Sequence, residues 1–238
     1  MTREPVLARS VTKRFGDVVA VDALTFAIPA GAVTGFLGPN GAGKTTTLRM
    51  LLGLAEPSAG EALVFGRRYA ELEDPARRVG AVLESNDFHP ARTGRDHLRM
   101  LALAADISRS RAEEVLELVE LAGVAGLRVK TYSLGMRQRL GLAAALLGDP
   151  ELLILDEPAN GLDPAGVHWL RGFLRRFADG GRAVLVSSHL LAEVAQTVDH
   201  VVVLDRGRLR ASGPLDELTA GERTLESVYL ELTGSAAP

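Results

Sequence analysis

The sequence of 238 residues contains no cysteine. Disulfide bonds and thiolate metal sites are therefore excluded, and a reducing compartment such as the cytosol suits the chain. Long apolar runs are also missing, because Gly148-Asp149-Pro150 interrupts the longest candidates. A bilayer-spanning helix needs about 18 apolar residues, so we expect no membrane span. The first residues lack the apolar region of a secretory signal, and we expect no such signal.

An excess of positive charge is absent as well. The sequence has 27 lysines and arginines against 30 aspartates and glutamates, which gives a net charge of −3. Such a balance provides no general attraction for nucleic acid. Sustained heptads, as in long coiled coils, are not found either. We therefore expect no nucleic-acid partner.

Lysine is scarce, and one of the three lysines lies in a glycine-rich motif. Residues 38–45 match the Gly-x-x-x-x-Gly-Lys-Thr phosphate loop, between a predicted strand at 32–37 and a predicted helix at 45–54. Glycines at this spacing let successive backbone N–H groups point at an anion, beside the N-terminus of a helix. We predict that Lys44 contacts the β- and γ-phosphates of a nucleoside triphosphate and that the Thr45 hydroxyl binds magnesium. The predicted ATP-binding residues of the loop are Gly38, Pro39, Asn40, Gly41, Ala42, Gly43, Lys44, Thr45 and Thr46.

A second candidate site follows an apolar strand. Residues 152–155 read Leu-Leu-Ile-Leu and are followed by Asp156 and Glu157. Ligands of open α/β sheets bind at the carboxyl ends of the strands, so these carboxylates are placed for catalysis. We predict that Asp156 binds magnesium beside Thr45 and that Glu157 is the general base for an attacking water. The alternative is a strand that ends in a solvated acidic turn.

The pattern of strands and helices predicts an α/β protein. Alternating residues at 6–15 and 18–28 predict an antiparallel N-terminal β part. Apolar strands at 79–83, 152–155, 183–186 and 201–204 are separated by helical segments, which indicates a mainly parallel sheet covered on both faces. Residues from about 87 to 148 have helical periodicity and predict an inserted helical subdomain.

In this order, the motifs resemble those of the nucleotide-binding subunit of an ABC transporter. Residues 132–139 (Tyr-Ser-Leu-Gly-Met-Arg-Gln-Arg) lie where that family carries Leu-Ser-Gly-Gly-Gln, upstream of the acidic strand. Ser187-Ser188-His189 resembles the family's switch histidine, and residues 160–163 (Asn-Gly-Leu-Asp) resemble the loop that links two active sites. The resemblance implies a RecA-like P-loop NTPase fold over 1–238, with a nucleotide-binding core at 1–84 and 151–238 and the helical subdomain at 85–150.

The resemblance also implies roles for individual residues. His189 would contact the γ-phosphate as a catalytic residue, and Phe15 would stack on adenine. Glu84 stands where the family has a magnesium-binding glutamine, and it would either bind the metal or stay outside the direct ligands. The residues implied to act on the nucleotide of a second subunit are Ser133, Leu134, Gly135 and Met136, and those implied to link the two sites of a dimer are Asn160 and Asp163. Ser133 would cap the helix that begins near Leu134. Two further alternatives remain open: Phe15 as a core residue, and Ser133 as an N-cap that contacts no nucleotide.

The implied function is ATP hydrolysis with Mg²⁺, coupled to a separate transmembrane permease. The subunit would act as a homodimer or as a heterodimer with a related ATPase, peripherally at the cytoplasmic face of the cell membrane. Phe88-His89-Pro90 would form the contact with the permease. The motif variants are similar to those of bacterial exporters of the antibiotic-resistance and bacteriocin-immunity type, so the expected cargo is a drug, antibiotic or peptide. The alternatives are a soluble ATPase that acts on a nucleic-acid or protein complex, and a module that senses ATP without hydrolysis.

Overall fold

The structure is a computed structural model that describes residues 4–83, 88–188, 191–221 and 223–234, without the side chains of 192 and 193. The strands are β1 (Val6–Phe15), β2 (Val18–Ile28), β3 (Val33–Leu37), β4 (Ala59–Val64), β5 (Val79–Val82), β6 (Leu152–Asp156), β7 (Ala183–Ser188), β8 (His200–Asp205) and β9 (Arg208–Pro214). The helices are α1 (Lys44–Leu51), α2 (Pro75–Arg78), α3 (Gly94–Ala104), α4 (Ser110–Leu118), α5 (Leu134–Leu146), α6 (Pro164–Asp179), α7 (Leu191–Val194), α8 (Leu215–Leu218) and α9 (Leu225–Thr233). Among the described residues, no helix is both long and apolar enough to cross a bilayer.

The chain forms two compact units. The first unit comprises Met1–Glu73 and Arg171–Pro238, and the second comprises Asp74–Leu170. The predicted bounds of the helical subdomain, 85–150, stay a prediction.

The first unit contains an antiparallel sheet in the order β2-β1-β4. The turn at Gly16-Asp17 joins β1 to β2, and Phe15 pairs with Val18 beside it. Apolar residues of β1, such as Val6 and Val11, are fully buried, while the intervening positions are partly or fully exposed. This alternation places one face of the sheet on the core of the unit.

The same unit contains four neighbouring strands in the order β7-β3-β8-β9. Strand β3 is parallel to both β7 and β8, whereas β9 is antiparallel to β8. All five residues of β3 are buried, as expected for a parallel strand covered on both faces. Residues 38–43 and then α1 follow the carboxyl end of β3, so the phosphate-loop motif starts from a rigid strand.

The second unit combines the parallel pair β5 and β6 with the helices α3, α4 and α5. Each helix contributes fully buried side chains, including Leu98, Val115, Leu116 and Leu140. Burial of a side chain of this size stabilises a fold by about 1.5–3 kcal/mol. The helical core therefore fixes the part of α5 that follows its first turns.

Most predicted elements are present, with ends shifted by one to a few residues. Strand β9 is not among the strands predicted from the sequence. Its residues alternate between exposed and half-buried positions, and none is buried. An edge strand of this kind pairs with β8 through its backbone and has no apolar pattern from which it could be predicted.

Candidate functional site

Close backbone approaches fix the shape of the phosphate loop in the first unit. Gly43 has a φ of +98°, and a Cβ atom there would lie 2.6 Å from the carbonyl oxygen of Ala20. A Cβ atom at Gly38 would lie 2.5 Å from the carbonyl oxygen of Leu204. Real Cβ atoms do not come this close to backbone, so both positions require glycine. The loop is thus pressed between β2 and the end of β8.

Hydrogen bonds hold the same loop. The Ala42 N–H donates to the Pro39 carbonyl oxygen at 3.1 Å, and the Thr47 hydroxyl donates to the Gly43 carbonyl oxygen at 2.8 Å. The Ala42 carbonyl oxygen accepts from the Gly207 N–H at 3.1 Å. Gly207 lies in the turn between β8 and β9, so this hairpin supports the loop from outside.

Lys44 begins α1, and its side chain is buried. Its ammonium group donates to the carbonyl oxygen of Gly38 at 2.6 Å and to that of Pro39 at 3.4 Å. The lysine side chain therefore folds back along the loop and brings a positive charge to its opening residues. A cation, a helix N-terminus and a glycine-bent backbone in one segment form an anion site of the kind that binds phosphate.

Phe15 lies at the tip of the β1–β2 hairpin and is 55% exposed. The Lys13 ammonium lies 5.1 Å from the centroid of its ring. Phe15 pairs with Val18, and Gly43 lies against Ala20 of the same strand. Val18 and Ala20 are two residues apart, which corresponds to about 7 Å along the strand. The alternative of a core phenylalanine is excluded by the exposure. The ring is an available stacking surface near the phosphate loop.

Strand β6 delivers two buried carboxylates in the second unit. Asp156 is 3% exposed and Glu157 is 8% exposed, so neither belongs to a solvated turn. Glu157 has a φ of +51°, in the left-handed region. A non-glycine residue there costs about 1–3 kcal/mol, and such strained residues cluster at functional sites. The Asn160 N–H donates to the Glu157 carbonyl oxygen at 3.1 Å and closes a tight turn after the acid.

Ser133 caps helix α5 in the second unit, as predicted. Its hydroxyl oxygen accepts from the Met136 N–H at 3.2 Å, and Leu134, the first helical residue, is 58% exposed. Asp163 caps α6 in the same way, since its carboxylate accepts from the Gly166 N–H at 2.7 Å. The second unit therefore holds the acidic pair, the exposed helix tip and the loop 158–163, whereas the phosphate loop belongs to the first unit.

Comparisons with known proteins agree with this set of features. The family model for ABC transporters matches residues 21–160, more than half of the chain. The chain belongs to the ABC transporter family. The bacitracin transport ATP-binding protein BcrA of Bacillus licheniformis is 43% identical over 224 residues, which cover 93% of this chain and 72% of the relative. The Nod factor export ATP-binding protein I of Burkholderia orbicola is 39% identical over 93% of this chain and 75% of the relative.

A solved structure of the ATP-binding subunit of an ABC transporter is also similar. It is 30% identical, with a TM-score of 0.86 over 95% of this chain and 98% of the other. The predicted fold class, a P-loop NTPase with a RecA-like sheet, is thereby confirmed. The chain is an ATP-binding ABC ATPase subunit.

The predicted residues Glu84 and His189 of this ABC subunit lie outside the described residues. Among the residues that the structure does describe, no group of three or more His, Asp or Glu side chains is placed to hold a metal ion. The hydroxyl of Thr45 and the carboxylate of Asp156 are hard oxygen donors, which is the ligand chemistry that Mg²⁺ prefers. Each of these oxygens is thus chemically suited to magnesium, and the magnesium roles of Thr45 and Asp156 stay predictions.

The sequence prediction missed one contact of this ABC subunit. Gly161 lies directly against the side chain of Leu134, and a Cβ atom at residue 161 would collide with the branched end of that leucine. The Asn160-Gly161 dipeptide is a turn signal and indicates a residue with positive φ at this point. It does not indicate which part of the chain packs on the glycine.

Proposed function

We propose that this ABC ATPase hydrolyses ATP in a dimer that encloses two ATP molecules, and that it drives a separate membrane permease. The observation that carries the proposal is the exposed, capped N-terminus of α5, where Leu134 is 58% exposed. Helix N-termini attract anions. In a chain with its own phosphate loop, an outward-facing helix tip of this family is best explained by a nucleotide on a second subunit.

The proposed roles in catalysis follow from chemistry at named atoms. The ammonium group of Lys44 and the amides of residues 38–46 hold and neutralise the phosphates, and such positioning supplies most of phosphoryl-transfer catalysis. The carboxylate of Glu157 accepts the proton of the attacking water, assisted by His189. Magnesium, held by Thr45, Asp156 and, by family resemblance, Glu84, would neutralise charge on the phosphate oxygens. Phe15 stacks on the adenine ring.

The proposed partner is a polytopic permease in a separate chain. The names of the relatives refer to bacitracin transport and Nod factor export, which supports export as the direction. Within the second unit, the ring of Phe88 packs edge-on against His97 at 5.0 Å, which gives residues 88–90 a fixed base on α3. We propose this segment as the permease contact, with the subunit peripheral at the cytoplasmic face of the membrane and without a nucleic-acid partner.

Replacement of Glu157 by glutamine tests the catalytic part. Because glutamine keeps the shape but accepts no proton, ATP binding should persist while turnover falls at least about a hundredfold. The variant should then accumulate as an ATP-bound dimer, measured by light scattering. The matched control is Glu151→Gln, at the opposite end of β6, where the 58% exposed carboxylate pairs with Arg78. Near-normal turnover of Glu157→Gln, or a strictly monomeric ATP complex, would contradict the proposal.

Purification from native membranes tests the transport part. The chain should co-purify with a polytopic membrane protein, and ATP hydrolysis should be retained in that complex. Recovery on ribosomes or DNA instead would favour a soluble ABC-type ATPase.

A further inference from the structure

Gly161 and Leu134 form an unusually close contact within the second unit. A Cβ atom at Gly161 would lie 2.6 Å from Leu134 Cγ and closer still to Leu134 Cδ2, but at an ordinary 3.6 Å from Leu134 Cβ. The obstruction is therefore the branched end of the leucine and not its Cβ atom. An alanine at residue 161 therefore fits only if the Leu134 side chain or the loop shifts.

Two neighbouring contacts fasten the same loop to the same helix. The side-chain amide of Gln138 donates to the Asn160 carbonyl oxygen at 3.3 Å. On the other side of Gly161, Leu162 Cδ2 lies 3.4 Å from the place of a Cβ atom at Gly135. Three consecutive loop residues, 160–162, thus rest on the first turns of α5.

The loop connects this contact to the proposed base. It begins at Glu157, whose left-handed backbone and hydrogen bond from the Asn160 N–H form a tight turn. It ends at Asp163, which caps α6. Only three residues separate Gly161 from Glu157, and the hydrogen bond from Asn160 to Glu157 closes the turn between them.

We propose that Leu134 is a positioning residue for Glu157, acting through Gly161 and the loop 158–163. The inference rests on the proposed function of Glu157 as the base. One side of Leu134 holds the loop, while the rest of the side chain stays exposed. The contacts of residues 160–162 thus couple the tip of α5 to the turn that bears the acid.

A pair of variants in the full chain tests the inference. Gly161→Ala should lower kcat for phosphate release by about tenfold to a hundredfold, because small displacements of a catalytic group have effects of this size. The KM for ATP should change less than kcat does, since the phosphate loop is untouched. When Leu134→Ala is added, kcat should recover toward that of Leu134→Ala alone, because the Cβ atom of residue 134 leaves ordinary contact distance.

Gly66→Ala is the matched control. Gly66 has the same φ of +77° as Gly161, but a Cβ atom there would have no neighbour within 4 Å. It carries the backbone strain without the collision, so its kcat should stay near that of the wild type. An equal loss of kcat in both glycine variants, or no recovery in the double variant, would overturn the inference.

Thermal unfolding of the same four proteins separates packing from catalysis. Leu134→Ala should also raise the melting temperature of Gly161→Ala, and additive shifts would again overturn the inference. A wild-type chain that releases no phosphate, or a Glu157→Gln variant with normal turnover, would instead contradict the proposed function. The melting temperatures of the four proteins would still test the contact between residues 134 and 161 in that case, because they do not depend on ATP hydrolysis.

Discussion

Replacement of Gly43 by alanine should destabilise the first unit more than the same replacement at Gly41. Both glycines lie in the phosphate loop with positive φ, +98° and +80°, and a side chain in the left-handed region costs about 1–2 kcal/mol at either position. Only the Cβ atom at Gly43 meets backbone, the carbonyl oxygen of Ala20 at 2.6 Å, whereas that at Gly41 has no neighbour within 4 Å. Overpacking of this kind adds about 1–3 kcal/mol.

In a domain of this size each kcal/mol shifts the melting temperature by about 2–4 °C, so Gly43→Ala should melt a further ~2–12 °C below Gly41→Ala. Circular dichroism melts of both variants measure the difference. Titration with a fluorescent ATP analogue should show weaker binding by Gly43→Ala, because the loop must move away from β2. Equal melting temperatures for the two variants would refute the close approach of Gly43 to Ala20.

Two further predictions concern the second unit. Ser133→Ala and Thr93→Ala each remove a helix N-cap and should each cost about 1 kcal/mol in unfolding free energy, but only Ser133→Ala should lower ATP turnover of the dimer. Equal turnover of the two would count against a nucleotide contact at α5. Burial, and then the charge of Arg92, lowers the pKa of His97, so the unfolded chain binds more protons and stability is lost as pH falls through about 6.5. His97→Gln should show a smaller loss in urea unfolding between pH 7.5 and 5.5.

The sequence was sufficient where a single physical requirement decides the structure. The strands β3 and β6 are predicted correctly because short, mainly apolar runs followed by glycine or carboxylates are typical of buried parallel strands. The N-cap at Ser133 is predicted because a serine hydroxyl satisfies a free amide at the start of a helix. The bounds of the helical subdomain and the roles of the site residues stay predictions.

The contacts that the sequence did not reveal join distant parts of the chain. Leu134 and Gly161 are far apart in sequence, and neither belongs to a periodic apolar pattern. The packing of one on the other depends on how α5 and the loop after β6 are placed by the core of their unit. Residues at two such positions interact only through the tertiary structure, so their contact has no local sequence signal.

The support of the phosphate loop shows the same dependence on tertiary structure and bears on affinity. The motif itself names glycines, but the backbone that confines them comes from β2, from the end of β8 and from the turn at Gly207. These elements give up their conformational entropy when the first unit folds. The loop is therefore already ordered when a phosphate binds, so less of the binding free energy is spent on the conformational entropy of the loop. Weakening the support at Gly207, which contacts no phosphate in this proposal, should consequently raise the Kd for ATP while leaving the chemistry at Glu157 unchanged.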